Sequence, residues 1–173
     1  MRKQFAIATF MIASFAAASL AHAQSALLDL PRDSQHAQVM QRVGITDITI
    51  NYHRPLVKGR KIWGSIVPYG QVWRAGANEN TTIEFSDPVS IEGKPLAKGT
   101  YGLHMIPNEN EWTVIFSKNT SAWGSFTYNQ AEDALRVTVK PEAAEMKEAL
   151  AYEVDNVTPD SAVVALGKGR RAL

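Results

Sequence analysis

The stretch TTIEFSDPVSIEGKPLAKGTYGLHMIPNENEWTVIF, residues 81–116, decides the fold, because apolar residues recur in it at every second position. Ile83 and Phe85, for example, alternate with Thr82 and Glu84. A period of two is that of a β-strand with one buried face. Glycine, proline and asparagine separate the alternating segments, as is typical of tight turns. The stretch therefore predicts antiparallel strands joined by short connections.

The same alternation continues on both sides of this stretch. Ile48 and Ile50 alternate with Thr49 and Asn51, and the segment ALRVTV, residues 134–139, repeats the pattern later in the chain. Strands recurring about every ten residues, with turn residues between them, indicate a sandwich or a jelly roll. We therefore predict an all-β, antiparallel β-sandwich with a jelly-roll-like architecture.

The N-terminus has the features of a secretory signal. Arg2 and Lys3 precede an uncharged apolar run over residues 5–20, and the small-x-small pattern Ala-His-Ala follows at 21–23. This combination predicts a signal peptide over residues 1–23 that is cleaved after Ala23. We expect a periplasmic or secreted protein that does not insert into the membrane after cleavage.

Composition excludes several classes of site and partner. The chain of 173 residues contains no cysteine, which excludes disulfides, thiolate metal sites and a cysteine nucleophile. Loss of the predicted signal peptide, with its two basic residues, changes the formal net charge from +1 to −1. A nearly neutral domain gives no reason to expect a nucleic acid as partner.

The rest of the chain divides into three predicted parts. Residues 24–37 are expected to form a leader arm, 38–166 a single β-sandwich domain, and 167–173 an atypical basic tail. Only PEAAEMKEAL, residues 141–150, is helix-like, which favours a short connecting helix or else an exposed lead-in to a strand.

Three motifs carry a resemblance to a known family. They are RP..KGR at 54–60, PYG.VWR.GANE at 68–79 and GTY.L..IP at 99–107. In this order and spacing the chain resembles the bacterial exported family named domain of unknown function 2911, from about Ser34 to about Leu166. The resemblance implies an exported all-β domain of unestablished activity, and it transfers no catalytic residue.

The C-terminal end departs from that family pattern. Members usually continue past the position of Leu166 with an apolar, Trp-containing strand, whereas this chain has GKGRRAL. Glycines and charged side chains are poor candidates for a buried strand, so we expect none there. The tail is interpreted as a truncated or frameshifted end, or alternatively as a native basic tail.

The motif VWRAGANEN, residues 72–80, contains the main candidate site residues. In one interpretation Arg74 and Glu79 form a partly buried pair, and asparagines that bond to local backbone complete a polar corner. In the other, Arg74, Asn78 and Glu79 line a cleft that recognises a polar ligand, with Trp73 as an apolar wall.

Two further segments are candidates for ligand contacts. Arg60 lies in a basic turn, residues 58–61, which is followed by an aromatic residue and suits an anionic sugar or phosphate. Trp123 lies in a loop of small residues and is the tryptophan we most expect to be exposed, where it would stack on a sugar. Solvated turns and buried tryptophans are the alternatives.

Metal and catalytic signals are weak. His53 and His104 would meet Glu79 as a two-histidine, one-carboxylate set if their strands were neighbours, but no close-spaced histidine motif supports this. No G-x-S-x-G or phosphate-binding loop occurs. We therefore predict no cofactor and favour no metal.

The resulting functional hypothesis is a non-catalytic binding or accessory module. Its ligand would be a polar small molecule, glycan or peptide of the cell envelope. One alternative is an envelope hydrolase or metal-dependent enzyme that uses His53, His104 and Glu79. Another is a structural domain that lacks a C-terminal strand or a partner.

Overall fold

The computed structural model describes residues 30–172, with side chains to residue 169. The predicted signal peptide and the first part of the predicted leader arm, residues 24–29, lie outside these residues. A compact unit that carries all the described strands begins at Pro31. Within residues 30–172, no helix is long and apolar enough to span a membrane.

Within residues 30–172, ten strands make up nearly all of the regular structure. They are β1 (Gln35–Val43), β2 (Thr46–Arg54), β3 (Thr82–Phe85), β4 (Val89–Ile91), β5 (Lys94–Leu96), β6 (Gly99–Ile106), β7 (Trp112–Ser117), β8 (Asp133–Val139), β9 (Glu142–Asp155) and β10 (Val163–Ala172). One turn of 3₁₀-helix, Gln130–Glu132, precedes β8. The leader-arm prediction placed the start of the domain slightly too late, because the last residues of the arm belong to β1.

Six strands form one antiparallel sheet in the order β1-β2-β3-β6-β7-β8. The hairpin β4-β5 is inserted between β3 and β6, and β9 pairs with β10 as a second antiparallel ribbon. The large sheet together with the small ones gives a sandwich-like fold. The all-β, antiparallel sandwich predicted from the sequence is therefore confirmed.

The core lies between the large sheet and the β9-β10 ribbon. Ile50 and Tyr52 on β2 are buried together with Leu150 and Tyr152 on β9 and Leu166 on β10. The aromatic rings of Tyr52 and Tyr152 meet edge to face, with 4.7 Å between their centroids. The period-two alternation in the sequence of β2 therefore predicted the buried face of this strand correctly.

The segment at 141–150 is a strand and not a helix. It forms the first part of β9, and its backbone bonds to the segment that follows β2. Val57 N–H donates to the Glu148 carbonyl at 2.7 Å, and Leu150 N–H donates to the Pro55 carbonyl at 3.2 Å. Pairing on both sides of β9 outweighs the helix propensity of alanine and glutamate. Of the two alternatives, the strand is observed.

The basic tail also forms a strand, contrary to the expectation. Residues up to Ala172 belong to β10, with register shifts on either side of Gly169, which has a positive φ of 63°. At Gly167 a Cβ atom would lie 2.7 Å from the flexible end of the Lys147 side chain, which would have to shift to make room. The glycines that argued against a strand instead allow β10 to bend over its partner.

Candidate functional site

The corner VWRAGANEN connects β2 to β3 and is held rigidly by hydrogen bonds. The amide and carbonyl of Trp73 pair with those of Met105 on β6, both at 2.8 Å. The Trp73 indole N–H donates to the Gly76 carbonyl at 3.2 Å. Ala75, with a left-handed φ of 52°, is fully buried, and its carbonyl accepts the Tyr152 hydroxyl at 2.8 Å. The corner is therefore part of the core framework.

The asparagines of the corner bond to distant segments. Asn78, which has a positive φ of 57°, donates from Nδ2 to the Ser34 carbonyl at 3.2 Å. Asn80 donates from Nδ2 to the Asn119 carbonyl at the same distance. Local backbone partners were predicted for both side chains. Instead, the asparagines attach the corner to the segment before β1 and to the loop after β7.

Glu79 forms an ion pair with Arg32 and contacts His53, but it does not pair with Arg74. Its Oε1 lies 2.5 Å from Arg32 Nη1, and its Oε2 lies 3.2 Å from His53 Nε2. Burial raises the pKa of Glu79, but the Arg32 hydrogen bond and the charge of His53 outweigh this and bring it below its ordinary value. The predicted Arg74–Glu79 pair is wrong, because chain folding brings a sequence-distant arginine closer.

Arg74 is a half-buried cation with unused hydrogen-bonding capacity. Its Nε atom is buried without a hydrogen-bond partner among the described residues. Its guanidinium passes next to Gly124, where a Cβ atom would lie 2.7 Å from Nη1. Burial lowers the Arg74 pKa, and the charge of Glu79 opposes this only in part. A buried unpaired donor costs free energy, and this Nε atom is covered too deeply for a ligand to reach it.

Arg74 lines a hollow of about 380 Å³, which we call the basic pocket. Lys58, Arg60 and Lys168 supply three further cations to its wall, against one carboxylate, that of Asp33. Its apolar wall consists of Trp73, Leu56, Ile62, Ile66 and Val67. Four cations and one anion around a hollow with an apolar wall are suited to an anionic ligand.

Each neighbouring cation is fixed by a backbone or side-chain contact. Arg60 donates to the carbonyls of Val57 at 3.0 Å and Leu56 at 2.6 Å, both in its own turn. Lys58 pairs with Asp33 at 3.2 Å in an exposed position. These contacts hold the cations in place and leave only one of them paired with a carboxylate.

Lys168 is the least expected member of the pocket. Its side chain is buried, and Nζ donates to the Pro55 carbonyl at 2.7 Å. Burial lowers the Lys168 pKa to about 8, and the charge of Arg60 adds to this while Glu148 opposes it. An ammonium held in such a place gains more from an arriving anion than an exposed one would.

Trp73 and Trp123, the two tryptophans predicted to contact a ligand, lie in different surroundings. Trp73 packs edge to face on Trp63 at 5.6 Å, and Trp63 in turn on Trp112 at 4.5 Å, so Trp73 belongs to an aromatic wall. Trp123 is 56% exposed, as expected, and its backbone bridges to Glu79. It does not line the basic pocket.

A match to a family model shows which family this chain belongs to. The family model described as a protein of unknown function, DUF2911, matches residues 34–170. The chain belongs to this family. No curated protein and no solved structure matches it. The family match includes most of β10, so the motifs named above and the C-terminal strand belong to one DUF2911 domain.

The metal set considered from the sequence does not assemble in this DUF2911 domain. His104 is buried, and its Nδ1 lies 3.1 Å from Ser125 Oγ; burial lowers its pKa, against the charge of Asp133. Strand β3 separates the strands of His53 and His104, while Glu79 contacts His53 alone. Across the described residues, no group of three histidines, cysteines or carboxylates is arranged for a metal ion.

Sequence reasoning found part of the site. Trp73, Arg74 and Arg60 share the basic pocket, whereas Asn78, Glu79 and Trp123 do not line it. Asp33 and Lys168, which line the pocket, and Arg32, which pairs with Glu79, were missed, because each comes from a segment interpreted as an arm or tail. The one available signal was the unusual basic character of the GKGRRAL segment.

Proposed function

We propose that this DUF2911 domain is a non-catalytic binding module for an anionic group on a polar ligand. The observation that carries the proposal is the convergence of Arg74, Lys168, Arg60 and Lys58 on one hollow with a single carboxylate. A guanidinium forms a planar, two-pronged contact with a carboxylate or phosphate, and the half-buried Arg74 lines this hollow.

The proposed ligand is a glycan or peptide of the cell envelope. A uronic acid, a phosphate-bearing sugar or a peptide carboxylate each combines an anion with an uncharged body that suits the Trp73 wall. Support for a location outside the cytoplasm comes from the basic start, apolar run and small-x-small pattern of residues 1–23. We therefore propose that the domain acts in the periplasm or after secretion.

Arg74→Ala tests this function. We expect at least a tenfold loss of affinity for glucuronate oligosaccharides or for a peptide with a free C-terminal carboxylate, because a hydrogen bond to a charged group contributes about 1.5–3 kcal/mol. Isothermal titration calorimetry measures the loss. Neutral counterparts, the esterified sugar and the amidated peptide, should bind weakly to both proteins.

Arg42→Ala is the matched control, since Arg42 is exposed and pairs loosely with Asp47 at 3.8 Å, away from the pocket. It should bind as the parent protein does. If Arg74→Ala lowers the melting temperature sharply while the folded fraction binds unchanged, Arg74 is a structural residue and the proposal is wrong.

A further inference from the structure

A second hollow, the apolar cleft, lies between the large sheet and the β9-β10 ribbon and has a volume of about 470 Å³. Ile48, Phe85 and Phe116 form its floor on the large sheet, and Tyr152 and Leu166 close it from the ribbon. It shares no lining residue with the basic pocket. Its volume is within the range of small-molecule sites, about 300–1,000 Å³.

The walls of the apolar cleft are not fully covered by the protein. Val89, Ile91, Val114, Val139 and Val164 line it and are only half buried, although each packs against the core. Aliphatic side chains at this depth are normally covered by other side chains. A hydrocarbon would cover them and remove their surface from water, which is favourable in proportion to the area removed.

The mouth of the cleft carries negative charge. Among the described residues that line it, Glu92 and Asp160 are the charged ones, and both are exposed. Glu92 lies at the tip of the β4-β5 hairpin with a positive φ of 49°. Asp160 is oriented by the Thr158 hydroxyl, which donates to its Oδ1 at 2.8 Å. Two carboxylates at the entrance favour a cationic head group and disfavour an anionic one.

We propose that the apolar cleft binds a single hydrocarbon chain with a cationic head. The chain lies between the large sheet and the ribbon and covers the half-buried valines, and the head remains at the mouth near Glu92 and Asp160. The site is separate from the basic pocket, so the two ligands differ in chemistry and bind independently.

Alkyltrimethylammonium ions of six, eight and ten carbons, each below its micelle concentration, test the proposal. Transfer of a methylene from water to an apolar site gives roughly a fourfold gain in affinity. Calorimetry should therefore show a Kd that falls about fourfold per added methylene, with one site per chain. Decyl sulfate should bind more weakly than decyltrimethylammonium. Affinity independent of chain length, or tighter binding of the sulfate, overturns the proposal.

Two filling variants locate the site. Val114→Phe and Val139→Phe each place a ring into the cleft from a half-buried position, and each should weaken decyltrimethylammonium binding at least tenfold. Val157→Phe is the matched control, because Val157 is 44% exposed and does not line the cleft. Melting temperatures identify any variant that misfolds, and the second variant then decides.

A parent protein that binds none of the ammonium ions also overturns the proposal. If it is then a dimer by sedimentation, a second copy of the chain is the occupant. If it is a monomer, another segment of the chain covers the valines. If both phenylalanine variants fold well and bind the ammonium ion as the parent does, the ion binds elsewhere on the protein. This result also overturns the proposal.

Discussion

Lys168→Met should remove a specific pH dependence from the stability of this protein. The Lys168 pKa is about 8 in the folded chain against an ordinary value of 10.5. Between these values the unfolded chain binds more protons than the folded one, so stability rises with pH. The stability gained through the neutral form of Lys168 is fully present above pH 10.5 and is lost as the pH falls toward 8.

The size of this effect follows from the two pKa values. A difference of this size corresponds to about 3 kcal/mol, of which roughly 2–3 kcal/mol appears between pH 7 and pH 10. The free energy of unfolding of the parent protein, minus that of Lys168→Met, should rise by this amount across the window. For a domain of this size the corresponding change in melting-temperature difference is about 5–10 °C.

Urea unfolding at pH 7, 8, 9 and 10 provides the measurement. The comparison must be a difference between parent and variant at each pH, so that the effects of groups other than Lys168 cancel. Lys140→Met, which removes an exposed lysine, controls for the loss of a lysine as such. If the difference for Lys168→Met varies by less than about 0.5 kcal/mol over the window, the argument that burial controls this ammonium is refuted.

Two further substitutions test the corner of residues 72–80 and the contact between β6 and the loop after β7. Glu79→Gln should lower the His53 pKa further, because in the parent protein the Glu79 charge raises this pKa against the effect of burial; NMR titration of the imidazole measures the change. The free energy of unfolding should fall by no more than about 1 kcal/mol, since the ion pair that is lost with Arg32 is exposed. Gly102→Ala should destabilise by roughly 1–3 kcal/mol, because its Cβ would lie 2.3 Å from the Asn119 carbonyl oxygen; thermal unfolding measures this.

The strands were predictable because their signal is local. Ile48, Ile50 and Tyr52 show the period of two within five positions, and all three are buried on β2. Trp112 and Phe116, which share one face of β7 by the same alternation, are likewise buried. A pattern that repeats within a few residues can be read without knowing what it packs against.

The contacts of the candidate site were not predictable because they join distant segments. Glu79 has Arg74 as a close neighbour in sequence, yet its partner Arg32 is 47 positions away. The ammonium of Lys168 reaches the Pro55 carbonyl, 113 positions away. The register of β1 on β2 and of β10 on β9 decides both contacts, and composition contains no information on register. Proximity in the sequence therefore paired Glu79 with the wrong arginine.

The position of Lys168 on the final strand has a consequence for the order of assembly. The cations of the basic pocket come from a turn near residue 60, from the corner at 74 and from β10, so the pocket spans most of the chain. Its loop-closing contacts are of long range, and such contacts form late and slowly. The proposed anion affinity would therefore report completed folding, because a chain whose last strand is undocked lacks the buried ammonium.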